Sequence, residues 1–314
     1  MIRFVATRLV GAGIVILGAS FLTFLLIALA PGDALLAIAK ARFGGDAGLS
    51  QATIESIRIE AGLDRPFLAR YAGWLIDLVR LDLGNSLVNG RPVMDILAER
   101  FDRTLELALA SIAVAALLSI PLGLMAGLFQ GSWFDSLCVS MATLGSAMPN
   151  YWLGILFILF FSVWLGVLPA FGRGDIDHLV LPALTLGTGV AVTTARLLRS
   201  ATIEAMAATH IAAARGRGLP ETRIIGRHAV RNALVPVVTI FALEIAFLLE
   251  GAVAVEYVFA WNGLGLLFVE AVDARDYPVI QAVVLLFAVL FVLINFIVDL
   301  ITFWLDPRTQ AGAA

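Results

Sequence analysis

The stretch AAARGRGLPETR, Ala212–Arg223, is short, basic and rich in glycine, and it interrupts a chain that is 61% hydrophobic. Upstream, Ile203, Met206, Ala207, His210, Ile211 and Ala214 recur at helical spacing, which predicts a short amphipathic helix. Gly218 suits the left-handed residue that stops a helix, and Pro220 with Glu221 suits the first positions of the next. The expected form is helix, tight corner, helix. Small residues from Ala212 to Gly218 let another backbone approach closely, while Arg215, Arg217 and Arg223 can meet acidic groups or anionic lipid. A lipid anchor accounts for the arginines. It gives no reason for the Gly218-Leu219-Pro220 corner or the alanine run, so the pattern favours a docking site for a partner.

The chain around this loop is built for a bilayer. It has 314 residues, 14% of them charged, and a mean hydropathy of +0.96. Soluble domains carry about 25% charged residues. The class is therefore an all-α polytopic membrane protein. Six spans are expected: Leu9 to Gly32, Leu107 to Phe134, a long bent helix from Ser136 to about Leu165 interrupted at Met148-Pro149-Asn150, His178 to Ala195, Asn232 to Val255, and Val279 to Leu305. The fourth is rich in small and polar residues, including Thr185, Gly187, Thr188, Gly189, Thr193 and Thr194. Such a helix packs closely on others or lines a polar path.

The N-terminus resembles a signal peptide, with Arg3 and Arg8 before an apolar run ending Ala28-Leu29-Ala30. Pro31 follows at once, and the run is longer than the roughly 7–15 residues of a signal core, so it is read as a first span. Arg3, Arg8 and Arg308 flank the termini, and Arg196, Arg199, Arg215, Arg217, Arg223, Arg227 and Arg231 cluster between spans four and five. The positive-inside rule then places both termini in the cytoplasm. The 31–103 segment falls outside, as an organised cap: Ser50 to Glu60 and Phe67 to Val79 read as helices, with Phe67, Leu68, Tyr71, Leu75, Leu78 and Val79 on one face, and Leu81–Ser86 reads as a turn. The chain divides into 1–32, 33–103, 104–305 containing a loop at 200–228, and the tail 306–314. It shows no internal repeat.

Several chemistries are disfavoured. A net charge of −3 gives no nucleic-acid footprint, and the single cysteine, Cys138, permits no internal disulfide. The only lysine, Lys40, lies in no phosphate-binding motif. His178, His210 and His228 lack ligand spacing, so no metal site is expected. Ser146 has no histidine within a span to serve as base, and Asp175 and Asp177 fall outside the membrane, which disfavours an intramembrane protease. Glu244 and Glu250 lie inside the fifth span, where an ionised carboxylate is costly unless it faces a cavity or partner. Either one or both pair with polar groups at a helix interface, or at least one lines a substrate path and meets a cation; Glu250, nearer the outer end, can also simply face water. Thr188 and Pro149 are the other candidates for that path.

Across almost its whole length the sequence resembles the oligopeptide/dipeptide/nickel family of ABC importer permeases. The resemblance is carried by Gly62-Leu63-Asp64-Arg65-Pro66, Leu81–Ser86, Arg91-Pro92-Val93, Thr104–Ala108, Ile120-Pro121-Leu122-Gly123 and Met148–Gly154. It continues through Val255–Phe259, Gly263-Leu264-Gly265, Ala274-Arg275-Asp276-Tyr277-Pro278 and Asp306-Pro307-Arg308. Ala212–Gly218 with His228–Pro236 looks like the family's cytoplasmic coupling loop. Glu204-Ala205 mimics the loop motif out of register, because His210 stands where its glycine belongs. In the register through Gly218 the usual glutamate is missing, and Arg231 stands where many ABC permeases have proline.

The resemblance implies a six-helix permease half with a coupling helix, contacting an ATPase through Ala212, Ala213, Ala214, Arg215, Gly216, Gly218, Leu219 and Pro220. It also implies a second permease, two ABC ATPases or one two-domain ATPase, an extracytoplasmic substrate-binding protein and a peptide cargo in a prokaryotic plasma membrane. No cofactor belongs to this chain; ATP and magnesium belong to the partner ATPases. A nickel or other solute permease, and an ion-coupled secondary transporter using Glu244 as a relay, are the alternatives.

Overall fold

The computed structural model describes residues 2–31, 34–44 and 51–305. Among them the chain is helical, with one isolated bridge between Asn85 and Pro92 in place of any strand. The helices are α1 Ile2–Leu29, α2 Ala34–Phe43, α3 Gln51–Glu60, α4 Phe67–Val79, α5 Val93–Leu128, α6 Trp133–Ala147 and α7 Asn150–Phe157, which continues as π-helical turns over Ile158–Trp164. They are followed by α8 Ile176–Ala207, α9 Thr209–Gly216, α10 Glu221–Arg223 running through π-helical turns at Ile224–Ala229 into α11 Val230–Val258, then α12 Leu264–Ala274 and α13 Tyr277–Leu305. Five helices are long and apolar enough to cross a membrane, or six spans if α6 and α7 count as one.

The expected span boundaries needed revision in two places. The second span was expected to reach Phe134, but α5 stops at Leu128. Gly131, at φ 79°, turns the chain, and Ser132 caps a new helix by accepting from the Asp135 N–H. The third span is not one bent helix: α6 and α7 meet at 110°. Met148 and Pro149 both adopt extended backbone, with ψ of 128° and 142°. Proline disfavours helical geometry in the residue before it, so the chain breaks rather than kinks. By contrast Pro121, Pro182 and Pro236 lie inside continuous helices. The expected positions Gly32, Ser50 and Asp306-Pro307-Arg308 lie outside the described residues.

The chain forms two compact units, one of residues 1–104 and 262–293, the other of residues 105–261 and 294–314. In the first, Ile38, Ile57, Leu87, Val93, Leu264, Leu267 and Val283 belong to a shared apolar core. The face of α4 is narrower than its spacing suggested. Leu68 and Val79 are exposed at 70% and 87%, whereas Tyr71 packs edge-on and Trp74 at a tilt against Phe24 of α1, and Tyr71 hydrogen-bonds Ser20 at 3.0 Å. Asp276, nearly buried, accepts from the Ser86 hydroxyl at 2.5 Å and the Leu87 N–H at 3.0 Å. Thr104 Oγ1 accepts from the Leu264 N–H at 2.8 Å and so receives the start of α12. These bonds give a structural purpose to three motifs, Leu81–Ser86, Thr104–Ala108 and Ala274–Pro278.

In the second unit α8 is the axis. A Cβ on Gly187 would meet the Ser111 carbonyl at 2.7 Å, one on Gly123 the Ala195 carbonyl at 2.7 Å, and one on Gly127 the Thr202 side chain at 2.6 Å. These contacts advance in the same direction along both chains, so α5 and α8 pack in parallel. Ser111, Ala115, Ser119, Gly123 and Gly127 form a small-residue stripe at four-residue spacing. That stripe is what allows backbone-to-backbone approach in lipid. The expected close packing of the Gly/Thr-rich fourth span is therefore present.

Candidate coupling site and translocation path

The candidate coupling loop begins where α8 ends. The amphipathic helix expected over 203–214 is divided: Ala208 adopts extended backbone (ψ 145°), leaving Ile203 to Ala207 on α8 and starting α9 at Thr209. At its other end α9 closes as predicted. The Leu219 N–H donates to the Ala214 carbonyl at 3.3 Å and the Gly218 N–H to the Arg215 carbonyl at 2.9 Å, with Gly218 at φ 76°. This is a Schellman stop. Pro220 then leads into α10. Across the corner, Arg215 Nη2 donates to Glu221 Oε1 at 2.5 Å and Nε to Oε2 at 3.3 Å.

Burial sorts the eight predicted coupling residues into two sets. Ile211 and Ala214 are buried, and with Leu198, Ile224, Ala229, Ala233 and Val237 they form the core beneath the loop. Ala214 is thus occupied by its own chain, and Leu219 packs against the same core. Ala212, Ala213, Arg215, Gly216, Gly218 and Pro220 are exposed. The small residues form a low, flat surface on a short helix pinned from below. His210 Nε2 also lies 3.2 Å from the Asn232 amide of α11.

The four path candidates do not converge. Thr188 lines a cleft of about 480 Å³ among α5, α6, α7 and α8, with walls that include Met141, Met148, Leu153 and Phe157. Its hydroxyl is turned back onto the Leu184 carbonyl at 2.6 Å. Pro149 is exposed at the break between α6 and α7. Glu244 is half-buried on α11 and Glu250 is exposed; neither lines that cleft.

Two features went unpredicted. Asp135 at the start of α6 is 6% exposed at its side chain and receives Arg199 of α8 in a bidentate pair, Nε to Oδ1 at 2.5 Å and Nη2 to Oδ2 at 2.8 Å. Its Oδ2 also accepts from the Gly131 N–H at 2.9 Å. The Ser132-x-x-Asp135 capping signature was readable, but nothing in the sequence named Arg199 as partner. Asn150, the first residue of α7, sits between glycines of two other helices: a Cβ on Gly189 would lie 2.8 Å from its Oδ1, and one on Gly251 would lie 3.0 Å from its Nδ2. Glycines inside spans were visible, but not that two of them clear room for one side chain.

Five or six candidate membrane spans, with a short helix set between α8 and α11, define a polytopic helical membrane protein. Two family models cover the chain: the binding-protein-dependent transport system inner membrane component over residues 119–311, and the N-terminal membrane component of such systems over residues 1–108. The chain belongs to this family. It is the multi-pass inner-membrane permease subunit of an ABC importer, and it works with a partner permease, an ATPase and a substrate-binding protein. Among relatives, it is 39% identical over 310 residues to the glutathione transport system permease protein GsiC of Escherichia coli and of Salmonella typhimurium, with 99% of each chain covered. Its fold is similar to that in inward-facing structures of the MetNI methionine ABC transporter (21% identity, TM-score 0.58, covering 68% of this chain and 97% of that one). It is also similar to the fold in an amino acid ABC transporter crystallised with histidines (16% identity, TM-score 0.52, covering 67% and 94%).

Proposed function

We propose that this subunit forms half of a translocation pore for small peptides, with both termini cytoplasmic, and that an ABC ATPase grips it at Ala212, Ala213, Gly216 and Gly218. The cargo reading rests on the full-length likeness to glutathione permeases. The grip rests on one observation: exposed small residues on α9 stand directly over buried anchors at Ile211 and Ala214. A push on the exposed face passes through those anchors into α8 and α11, because close-packed apolar contacts transmit displacement. ATP and magnesium act in the partner ATPases, present as two subunits or one two-domain protein. This chain makes and breaks no covalent bond; its share is to hold two conformations with different affinities for its partners.

Gly216 offers the cleanest test. A side chain there would meet nothing within 4 Å in this chain, and its backbone is helical. Gly216→Trp should leave folding and membrane insertion intact while abolishing peptide uptake and ATPase stimulation by the loaded binding protein. Normal stimulated ATPase activity in that variant would end the docking assignment. For the path, Glu244 forms no hydrogen bond or ion pair with a described residue, which suits a carboxylate awaiting a cation. Glu244→Gln should reduce uptake of peptides with a free amino terminus more than uptake of amino-blocked ones, with basal ATPase activity unchanged. Equal uptake of both would remove Glu244 from the path.

A further inference from the structure

The first unit holds a recess of about 260 Å³ bordered by α1, α3, α4, the turn at 82–84 and the start of α13. Its walls carry both signs of charge. Arg65 and Arg70 contribute cations, and Asp77 and Asp82 contribute carboxylates; a third carboxylate in the wall, Glu60, is paired with Arg42 at 2.7 Å. Opposite charges sharing one small recess usually pair; Arg65, Arg70, Asp77 and Asp82 do not pair with one another. Neither arginine, nor the Asp77 carboxylate, has an ion pair or hydrogen bond to a described residue, and Asp82 commits one oxygen to the Gly84 N–H at 2.9 Å.

Two further observations point to a ligand. Arg70 is half-buried, and burial pulls its pKa below the ordinary arginine value, with Tyr277 and then Asp64 acting in opposition. A guanidinium stays charged in proteins, so Arg70 is a partly desolvated cation, acted on by Asp64 but without a formed ion pair, and a bound anion would relieve the cost of that burial. Gln281 lines the same recess, is only 7% exposed as a residue, and offers its amide there. The remaining wall is aromatic, from Trp74 and Tyr277.

A simple anion would be repelled by the two aspartates and a simple cation by the two arginines. A ligand carrying both charges meets both. The recess is smaller than the roughly 300–1,000 Å³ of drug-sized sites, so it takes a few residues of chain at most. We propose that this recess binds a small zwitterion of dipeptide or tripeptide size, its carboxylate on Arg65 and Arg70, its ammonium on Asp77 and Asp82, and its amide on Gln281. The inference rests on the proposed peptide cargo only in choosing a peptide among zwitterions. It adds to the permease a ligand site of its own, separate from the one on the binding protein.

The test uses the intact transporter in lipid nanodiscs without its binding protein, with calorimetry of four probes: dialanine, N-acetyl-dialanine, dialanine amide and inorganic phosphate. Dialanine should bind, and each blocked form and phosphate should bind at least tenfold more weakly. Arg70→Gln and Gln281→Leu should each weaken dialanine binding at least tenfold. Arg65→Gln, at an exposed position, should do the same without any risk to folding. The inference is overturned by no dialanine binding in the wild type, by equal binding of the blocked forms or of phosphate, or by variants with unchanged affinity. Peptide uptake with the binding protein present, run in parallel, separates the two proposals. Normal uptake with no dialanine binding at the recess overturns this site alone, whereas dialanine binding without peptide uptake overturns the cargo reading.

Discussion

Gly218 and Gly216 are two residues apart, equally open, and physically different. Gly218 holds φ at 76°, where a Cβ costs about 1–2 kcal/mol; Gly216 holds no such constraint. Gly218→Ala should therefore lower thermal stability modestly, while Gly216→Trp spares stability and removes coupling. Melting curves and stimulated ATPase rates measured on both variants distinguish backbone strain from surface shape. Asp276 makes a second residue-scale case. It is nearly buried and accepts two hydrogen bonds from the 86–87 turn. Asp276→Ala leaves the Leu87 N–H and the Ser86 hydroxyl without that acceptor, a loss of about 1–3 kcal/mol, which should appear as a lower melting temperature of the purified transporter. Gly218 was legible as a helix stop because left-handed geometry has a residue signature. The Asp276 bonds were not, since their partners lie nearly two hundred positions away.

The small-residue stripe on α5 and the glycines of α8 are a property of two helices together. Gly187 faces the Ser111 carbonyl at a distance no side chain tolerates. Gly187→Leu should force the pair apart, at about 1–3 kcal/mol for overpacking and more if the backbone cannot move. The expected outcome is normal insertion with a reduced melting temperature and lost transport, checked by protease protection, thermal shift and uptake. Wild-type stability in that variant would contradict the parallel α5–α8 packing. The same scale explains the broken third span. Pro149 announced an interruption, but a proline permits anything from a kink to a corner. The 110° turn takes two consecutive extended residues, and Asn150 seated between Gly189 and Gly251 fixes where α7 begins.

For the molecule as a whole, the orientation is open to a direct measurement. With Cys138 replaced by serine, Thr209→Cys should react with an impermeant thiol reagent only from the cytoplasmic side, and Asp64→Cys only from outside. The reverse pattern would invert the proposed topology. At this scale the sequence by itself determined a great deal. Uncharged runs of about 20 residues are costly anywhere but in a bilayer, so the membrane class and the approximate spans followed from composition alone. The Gly218-Leu219-Pro220 corner was legible as a helix stop and restart because each requires particular residues. Tertiary structure alone decided the rest. It put Ala214 beneath the loop and left Ala212 and Ala213 on its surface, although three consecutive alanines are identical as sequence. It joined Asp135 to Arg199 across 64 positions, and it gathered unpaired arginines, aspartates and a buried glutamine into one recess. Periodicity and turn chemistry act between neighbours along the chain. Burial and charge pairing depend on which distant surfaces meet, and no local pattern of residues contains that information.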